Sequence, residues 1–326
     1  MIKSQLSKIS GPVKEELSYF NEAFKKSLKS KVGLVDLVTR YILNQKGKKI
    51  RPLLVLLSAR IAGDITDRSY RGAILVELLH TATLVHDDVV DNADKRRGFP
   101  SINAIWKNKI AVLMGDYLLS RGLMIAVEGK DFDFLGIVTD AVKRMSEGEL
   151  LQISKTRRLD IDEDTYFRII SDKTASLLST CCRIGTASVT NDEKLHEAMR
   201  SFGEAVGIAF QIRDDILDYV GASGIIGKPL GGDIKEKKIT LPLIYSLKKA
   251  DPSESKKIIK MIKHGDRDGN IKKVMEFVQE QGGIEYAREA ALKYSVIAKS
   301  ELSIFPDSPS KSALLNLVDF IIDRKN

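Results

Sequence analysis

The chain has 326 residues, 43% of them hydrophobic and 29% charged, the composition of an ordinary soluble globular protein with a sizeable core. A net charge of +8 and a pI near 9.2 admit an anionic partner such as nucleic acid, acidic lipid or a phosphorylated metabolite. The basic residues form no single long run and only 6% of residues are aromatic, which argues against a nucleic-acid stacking surface.

In chain order, the N-terminus Met1-Ile2-Lys3-Ser4 lacks an apolar signal core, and no unbroken apolar run reaches the ~18 residues of a membrane span. Helical periodicity follows throughout. Pro52 opens a helix over 52–63, and Ile74, Leu78, Ala82, Val85 and Val89 step by four and three along the next. Adjacent Cys181 and Cys182 lie in an apolar helical pattern, pointing about 100° apart. They suit core packing better than a disulfide, so a reducing, cytoplasmic setting is expected. Thr190 with Glu193 reads as a capping box before a helix over 191–220, and Asp251-Pro252 and Ser308-Pro309 read as caps with a first-turn proline. No alternating strand pattern and no low-complexity segment appears. The expectation is an all-α, single-domain helical bundle over 1–326, with eleven to thirteen helices.

The glycine-rich stretch 221–238 invites a phosphate-loop reading, but the spacing fails. Gly221 is one residue too far from Gly227-Lys228, and Pro229 stands where a metal-binding serine or threonine belongs. A flexible basic loop is the expectation instead.

The chemistry sits in two matching stretches. Asp87, Asp88 and Asp91 end the helix that carries His80, and Asp214, Asp215 and Asp218 end the helix that carries Gln211. In each stretch the first and third acids are four apart and share a helix face, where like charges repel by a few tenths of a kcal/mol. Helix C-termini also favour cations over acids. One such cluster is ordinarily a solvated helix end; two of them point to metal. Oxygen-only donors without cysteine or paired histidine suit magnesium, which takes one or two carboxylates and completes its shell with water and substrate phosphate. Lys48, Arg51, Arg96, Arg97, Lys173, Lys228 and Lys238 then supply cations for a polyphosphate. Taken singly, each is more simply a solvated surface charge.

These motifs, in this order, resemble the all-trans isoprenyl diphosphate synthases of the polyprenyl synthetase family. The resemblance rests on Gly47-Lys48-x-x-Arg51-Pro52, His80 before Asp87-Asp88-x-x-Asp91, Arg96-Arg97-Gly98, Gly115-Asp116 and Gly148-Glu149-x-x-Gln152. Further on it rests on Lys173-Thr174, Gln211-x-x-Asp214-Asp215-x-x-Asp218, Gly227-Lys228-Pro229, and Gly232-Asp233 through Lys238-x-Thr240-x-Pro242. It covers roughly residues 45–245. Lys237 departs from it, because the family often has glycine there.

The resemblance implies the isoprenoid-synthase bundle with a central cavity between helices, and about three magnesium ions. Asp87, Asp91 and Asp214 would ligate metal, with Asp88, Asp215 and Asp218 helping directly or through water. Isopentenyl diphosphate would be held by Lys48, Arg51, His80 and Arg97. The allylic diphosphate would meet Arg96, Lys173, Gln211, Lys228 and Lys238. Lys173, Thr174 and Gln211 are the catalytic set, Thr174 and Gln211 steadying carbocation and leaving group. Short-chain members tend to carry bulky aromatics where this chain has Ala82 and Thr83, so a long, octaprenyl-type product for quinone side chains is expected, with Met114, Leu118 or Phe134 as the tunnel floor. A short-chain (farnesyl or geranylgeranyl) synthase and a non-catalytic partner subunit are the alternatives. The resemblance also implies a homodimer that delivers its product to the membrane and binds no nucleic acid.

Overall fold

The structure is a computed structural model that describes residues 2–45, 47, 49–96, 98–220, 230–266 and 269–323. Those residues form sixteen α-helical segments and one two-stranded ribbon, Lys95–Arg96 antiparallel to Phe99–Pro100. The helices outnumber the expectation because several long periodic stretches are broken locally. Gly11-Pro12 interposes a 3-10 turn between Ile2–Ser10 and Lys14–Ser27, and Gly232–Lys235 is a single turn. The ribbon is too short to leave an alternating pattern in the sequence. The chain forms two compact units, Met1–Asp140 with Thr180–Arg200 and Ile304–Leu314, and Ala141–Ser179 with Ser201–Ser303 and Leu315–Asn326.

In the first unit, helix Ile50–Ala62 is buried without interruption from Pro52 to Ala59, as a helix apolar on all sides must be. Its first turn begins two residues before Pro52. Helix Asp67–Val90 starts at Thr66 with a reciprocal cap, in which Thr66 N–H donates to Ser69 Oγ at 3.2 Å. Helix Ile102–Glu128 packs antiparallel on it, and glycines seven apart allow the approach. A Cβ on Gly115 would fall on His86, one on Gly122 would come within 3.3 Å of Leu75, and one on Gly129 would fall on Arg71. This register puts Leu118 beside the level of Ala82. Ile102–Glu128 is also long and apolar enough, by composition, to cross a membrane, but the packed core helix of a soluble protein passes the same test. At the far end, buried Asp131 takes Arg71 Nε at 2.6 Å and Arg68 Nε at 3.1 Å, pinning the turn to the start of Asp67–Val90.

In the second unit, Ile212, Ile216, Leu241, Leu243, Val274, Val278, Ile284 and Ala287 make one buried cluster. Its backbone-to-backbone approach is tight where Gly283 meets the carbonyl of Pro242. Both proline-started helices form, but only one has the expected side-chain cap: the Asp251 side chain makes no capping hydrogen bond to Pro252–His264, whereas Pro309–Asp323, in which residues from 315 on belong to this unit, is capped by Ser308 Oγ accepting from Lys311 N–H at 3.1 Å. In the first unit, which holds Thr180–Arg200, the cap of Glu193–Val220 differs from expectation. Asp192 Oδ1 accepts from Lys194 N–H at 2.9 Å, and Thr190 Oγ1 instead accepts from Asp192 N–H at 3.2 Å. The helix begins later than Thr190 allows, so the carboxylate takes the capping position.

Candidate active site

In the first unit the acid motif closes helix Asp67–Val90, with Asp91 as its C-cap. Asp88 is buried and accepts from Arg96 Nε at 2.6 Å. Burial pushes its carboxyl above the usual range, and Arg96 pulls the other way. Asp87 is half-buried and Asp91 exposed. A cleft of about 80 Å³ gathers His80, Asp88 and Arg96 with Gly47, Lys49, Glu77 and Thr81. His80 is 8% exposed, and Arg51 lies half-buried in the first turn of Ile50–Ala62. Lys48 and Arg97 lie outside the described residues.

Lys49, a position between the motif residues Lys48 and Arg51, also lines this cleft. Its backbone is left-handed at φ 48°, its ammonium meets Asn21 Oδ1, and it sits 5.7 Å from the Phe20 ring. Burial lowers its pKa, against Glu77. The positive φ that starts the helix here is a local feature, but a lysine run in the sequence shows no sign of it.

Below the acid motif, Ala82 is 1% exposed. Thr83 turns its hydroxyl back onto His80 O at 2.9 Å, which leaves its methyl as the outward group. Met114, Leu118 and Phe134 are all buried, and Phe134 lies against Gly72, near the start of the same helix. Gly72 is fifteen residues before Asp87, or ~22 Å at 1.5 Å per residue.

In the second unit a cavity of about 120 Å³ brings Lys173, Thr174, Gln211, Asp215 and Lys238 together, with Tyr166, Gln152, Asp233 and Thr240. Hydrogen bonds run in one chain. Thr174 Oγ1 donates to Gln211 Oε1 at 3.0 Å, Gln211 Nε2 donates to Asp215 Oδ1 at 2.8 Å, and Tyr166 Oη donates to Asp215 Oδ2 at 2.6 Å. Burial, then the charge of Asp233, pushes Asp215 up to about 8 despite those donors. Burial and the adjacent carboxylate keep Tyr166 protonated, as its donor role requires. Asp218 also fastens the returning loop, since its Oδ1 accepts from Gly232 N–H and its Oδ2 from Asp233 N–H, each at 3.0 Å. Asp214 is half-buried. Lys238 pairs with Glu236 at 2.6 Å, and Lys228, with the rest of 221–229, lies outside the described residues.

Lys173 and Thr174 lie in a π-helical turn, Ser171–Ala175, of the wider kind that recurs at functional sites. Four neighbours surround it. Arg144 Nε donates to Asp172 Oδ1 at 2.8 Å, and Arg144 Nη2 reaches Ser171 Oγ at 2.9 Å and Glu204 Oε1 at 2.7 Å. Gly148 leaves 3.0 Å between its would-be Cβ and Lys173 N, and Gly207 lies against Ala175 Cα. Glu149 Oε2 meets Lys173 Nζ at 2.5 Å. The motif Gly148-Glu149-x-x-Gln152 is visible in the sequence, whereas Arg144, Tyr166 and Glu204 are not. Arg144 reaches partners 28 and 60 residues away, and separations of that size leave no local pattern.

No three His, Cys, Asp or Glu side chains converge as a ready metal shell among the described residues. The donors at both motifs are nonetheless carboxylate oxygens beside lysine and arginine, which fits a hard divalent ion that completes its shell with water and phosphate.

An all-helical chain with two such acid clusters has the make-up of an enzyme acting on diphosphates. The polyprenyl synthetase family model matches residues 33–279, and the chain belongs to that family. It is a prenyltransferase of the all-α isoprenoid-synthase fold. It is 35% identical to an all-trans-nonaprenyl-diphosphate synthase (geranyl-diphosphate specific) of Rhodobacter capsulatus, over 97% of each chain. It is 32% identical to a short chain isoprenyl diphosphate synthase of Methanothermobacter thermautotrophicus, over 88% of this chain and 90% of that one. A crystal structure of polyprenyl synthase from Caulobacter crescentus, complexed with calcium and isoprenyl diphosphate, superposes with a TM-score of 0.90 at 32% identity, covering 98% of both chains. Identity to long-chain and short-chain relatives differs too little to choose a product length.

Proposed function

We propose that the chain, acting as one domain over 1–326, is a long-chain all-trans polyprenyl diphosphate synthase that adds isopentenyl diphosphate to an allylic diphosphate. The observation that carries the product length is the turn below the first acid motif. A buried alanine and a threonine whose hydroxyl is spent on its own helix leave no bulky group there. The calcium and isoprenyl diphosphate named for the Caulobacter relative support divalent-metal use. Magnesium ions held by Asp87, Asp91 and Asp214, with Asp88, Asp215 and Asp218 behind them, would offset the charge that develops on the departing diphosphate.

The chain's own residues account for the rest. Lys173, Arg96 and Lys238 neutralise the allylic diphosphate from fixed positions, so little reorganisation accompanies ionisation, and Lys228 would add a further positive charge. Glu149 holds the Lys173 ammonium in place. Gln211, oriented by donating to Asp215, presents its carbonyl oxygen to Thr174, and that dipole pair stabilises the allylic cation. Lys48, Arg51, His80 and Arg97 would position isopentenyl diphosphate so that its alkene, rather than water, meets the cation. Released pyrophosphate is the proton acceptor, since among the described residues no side chain is set up as a dedicated base. We further propose a cytoplasmic homodimer whose product enters the membrane as a quinone side chain.

The test is to incubate the pure protein with farnesyl and isopentenyl diphosphates and magnesium and to size the product by mass spectrometry. Products longer than geranylgeranyl support the reading, and Ala82→Phe should shorten them. A product that stops at twenty carbons, or no elongation of the farnesyl primer at all, would overturn the long-chain assignment.

A further inference from the structure

Between residues 248 and 273 the chain carries nine lysines and arginines against four acids. This is most of its positive excess, and none of it belongs to the diphosphate site. Helix Pro252–His264 holds the densest part. Ile258 and Ile262 are 6% and 2% exposed on its inner face. Lys256, Lys260 and Lys263 follow one another at four and three along the opposite stripe, with Lys257 beside them, all exposed. A shallow depression of about 350 Å³ opens among Ser255, Lys256, Ile259, Lys260 and Lys263.

Other lysines nearby have partners: Lys272 meets Glu276 at 3.7 Å, and Lys249 donates to Gln281 O at 2.9 Å. The four on Pro252–His264 form no ion pair among the described residues, although Asp251, Glu254 and Asp266 lie at the two ends of the helix. Like charges at this spacing repel. The helix C-terminus offsets that only for Lys263 and His264.

We infer that this stripe docks the protein on an anionic phospholipid surface. The charge is complementary, the row lies on one face of a 13-residue helix, and half-buried Ile259 and Met261 flank it with apolar surface. The helix carries no phenylalanine, tyrosine or tryptophan on which a base could stack, which disfavours nucleic acid. The choice of a bilayer rests on the membrane-bound product proposed above, because an enzyme seated on the bilayer releases an apolar chain where it is soluble.

The test is co-sedimentation of the full chain, without substrates, on phosphatidylcholine vesicles with and without phosphatidylglycerol. Vesicle binding needs no turnover, so its failure is separable from failure of the synthase reading. Wild-type protein should bind the anionic vesicles selectively and lose binding at high salt. Each lysine contributes roughly fivefold to partitioning, so Lys256→Gln/Lys260→Gln/Lys263→Gln should bind roughly a hundredfold more weakly. That variant should keep its circular dichroism and its rate of the first condensation with soluble substrates, showing that it is folded. Equal binding to neutral vesicles, undiminished binding by the folded triple variant, no binding at all, or tighter binding to duplex DNA than to vesicles would each overturn the inference.

Discussion

Replacing Arg144 by methionine keeps the stem of the side chain and removes the fork that grips the turn carrying Lys173 and Thr174. Three hydrogen bonds go, to Asp172, Ser171 and Glu204. The two carboxylates, 16% and 20% exposed, are left facing each other. Charge-assisted bonds contribute about 1.5–3 kcal/mol each, and breaking a buried pair costs about 3–5. Because the groups keep some solvent access and Ser171 still donates to Glu204 at 2.6 Å, the expected loss is smaller, about 2–4 kcal/mol. The functional effect should be larger than the loss of stability suggests. If the π turn relaxes to an α turn, one residue of register changes, and the residues beyond it rotate by about 100°. Misplacing a positioning group by ~1 Å can cost about a hundredfold. Arg144→Met should therefore lower kcat/KM for the allylic diphosphate by about two orders of magnitude while leaving the KM for isopentenyl diphosphate within about twofold. Arg144→Lys, with a charge but no fork, should fall between. Steady-state kinetics with each substrate varied in turn, paired with thermal melts, make the check. A variant that melts earlier yet keeps its allylic kcat/KM would refute the positioning role and leave a purely structural ion pair.

Gly207→Ala should be far more damaging than Gly115→Ala, because the first forces a methyl onto the backbone of the π turn and the second onto the end of a half-exposed histidine. Activities measured side by side decide this, and equal losses would refute it. Lys237 stands at φ 60°, in the left-handed region, so Lys237→Gly should relieve about 0.5–1 kcal/mol after the extra unfolded-state freedom of glycine is counted. A lower melting temperature for that variant would count against strain there. Burial pushes Cys182 up to about 12, and Cys181 higher than its ordinary value as well. At pH 8 a thiol with a pKa near 12 is ionised to about one part in ten thousand, so neither cysteine of the native protein should react promptly with a disulfide reagent, whereas both should in denaturant.

What the sequence disclosed, and what it did not, follows from the distance between partners. Asp87 and Asp91, Asp214 and Asp218, and Gln211 and Asp215 are each four apart, so helix geometry alone places them together. Lys237 was legible as a departure from the glycine common in the family, and its positive φ is the physical content of that departure. The capping position falls on Asp192 rather than Thr190 because the helix starts at Glu193, where Asp192 reaches Lys194 N–H while Thr190 takes Asp192 N–H, and sequence pattern does not rank the two starts. Tyr166 and Asp215 are 49 residues apart, and Arg144 and Glu204 are 60 apart. Nothing local marks either pair.

Asp218 shows how these two kinds of information combine. Its spacing from Asp214 makes it a metal candidate, yet both of its oxygens accept backbone N–H groups from the segment that leads to Lys238. A carboxylate so engaged still has lone pairs for an ion or its water, and through Gly232 and Asp233 it ties the position of Lys238 to the same helix end. Short spacing thus identifies the groups that would meet the diphosphate. The long-range bonds through Arg144, Tyr166 and Asp218 determine where those groups stand, so substitutions at Arg144 and Tyr166 should alter allylic kinetics without removing any group that touches substrate.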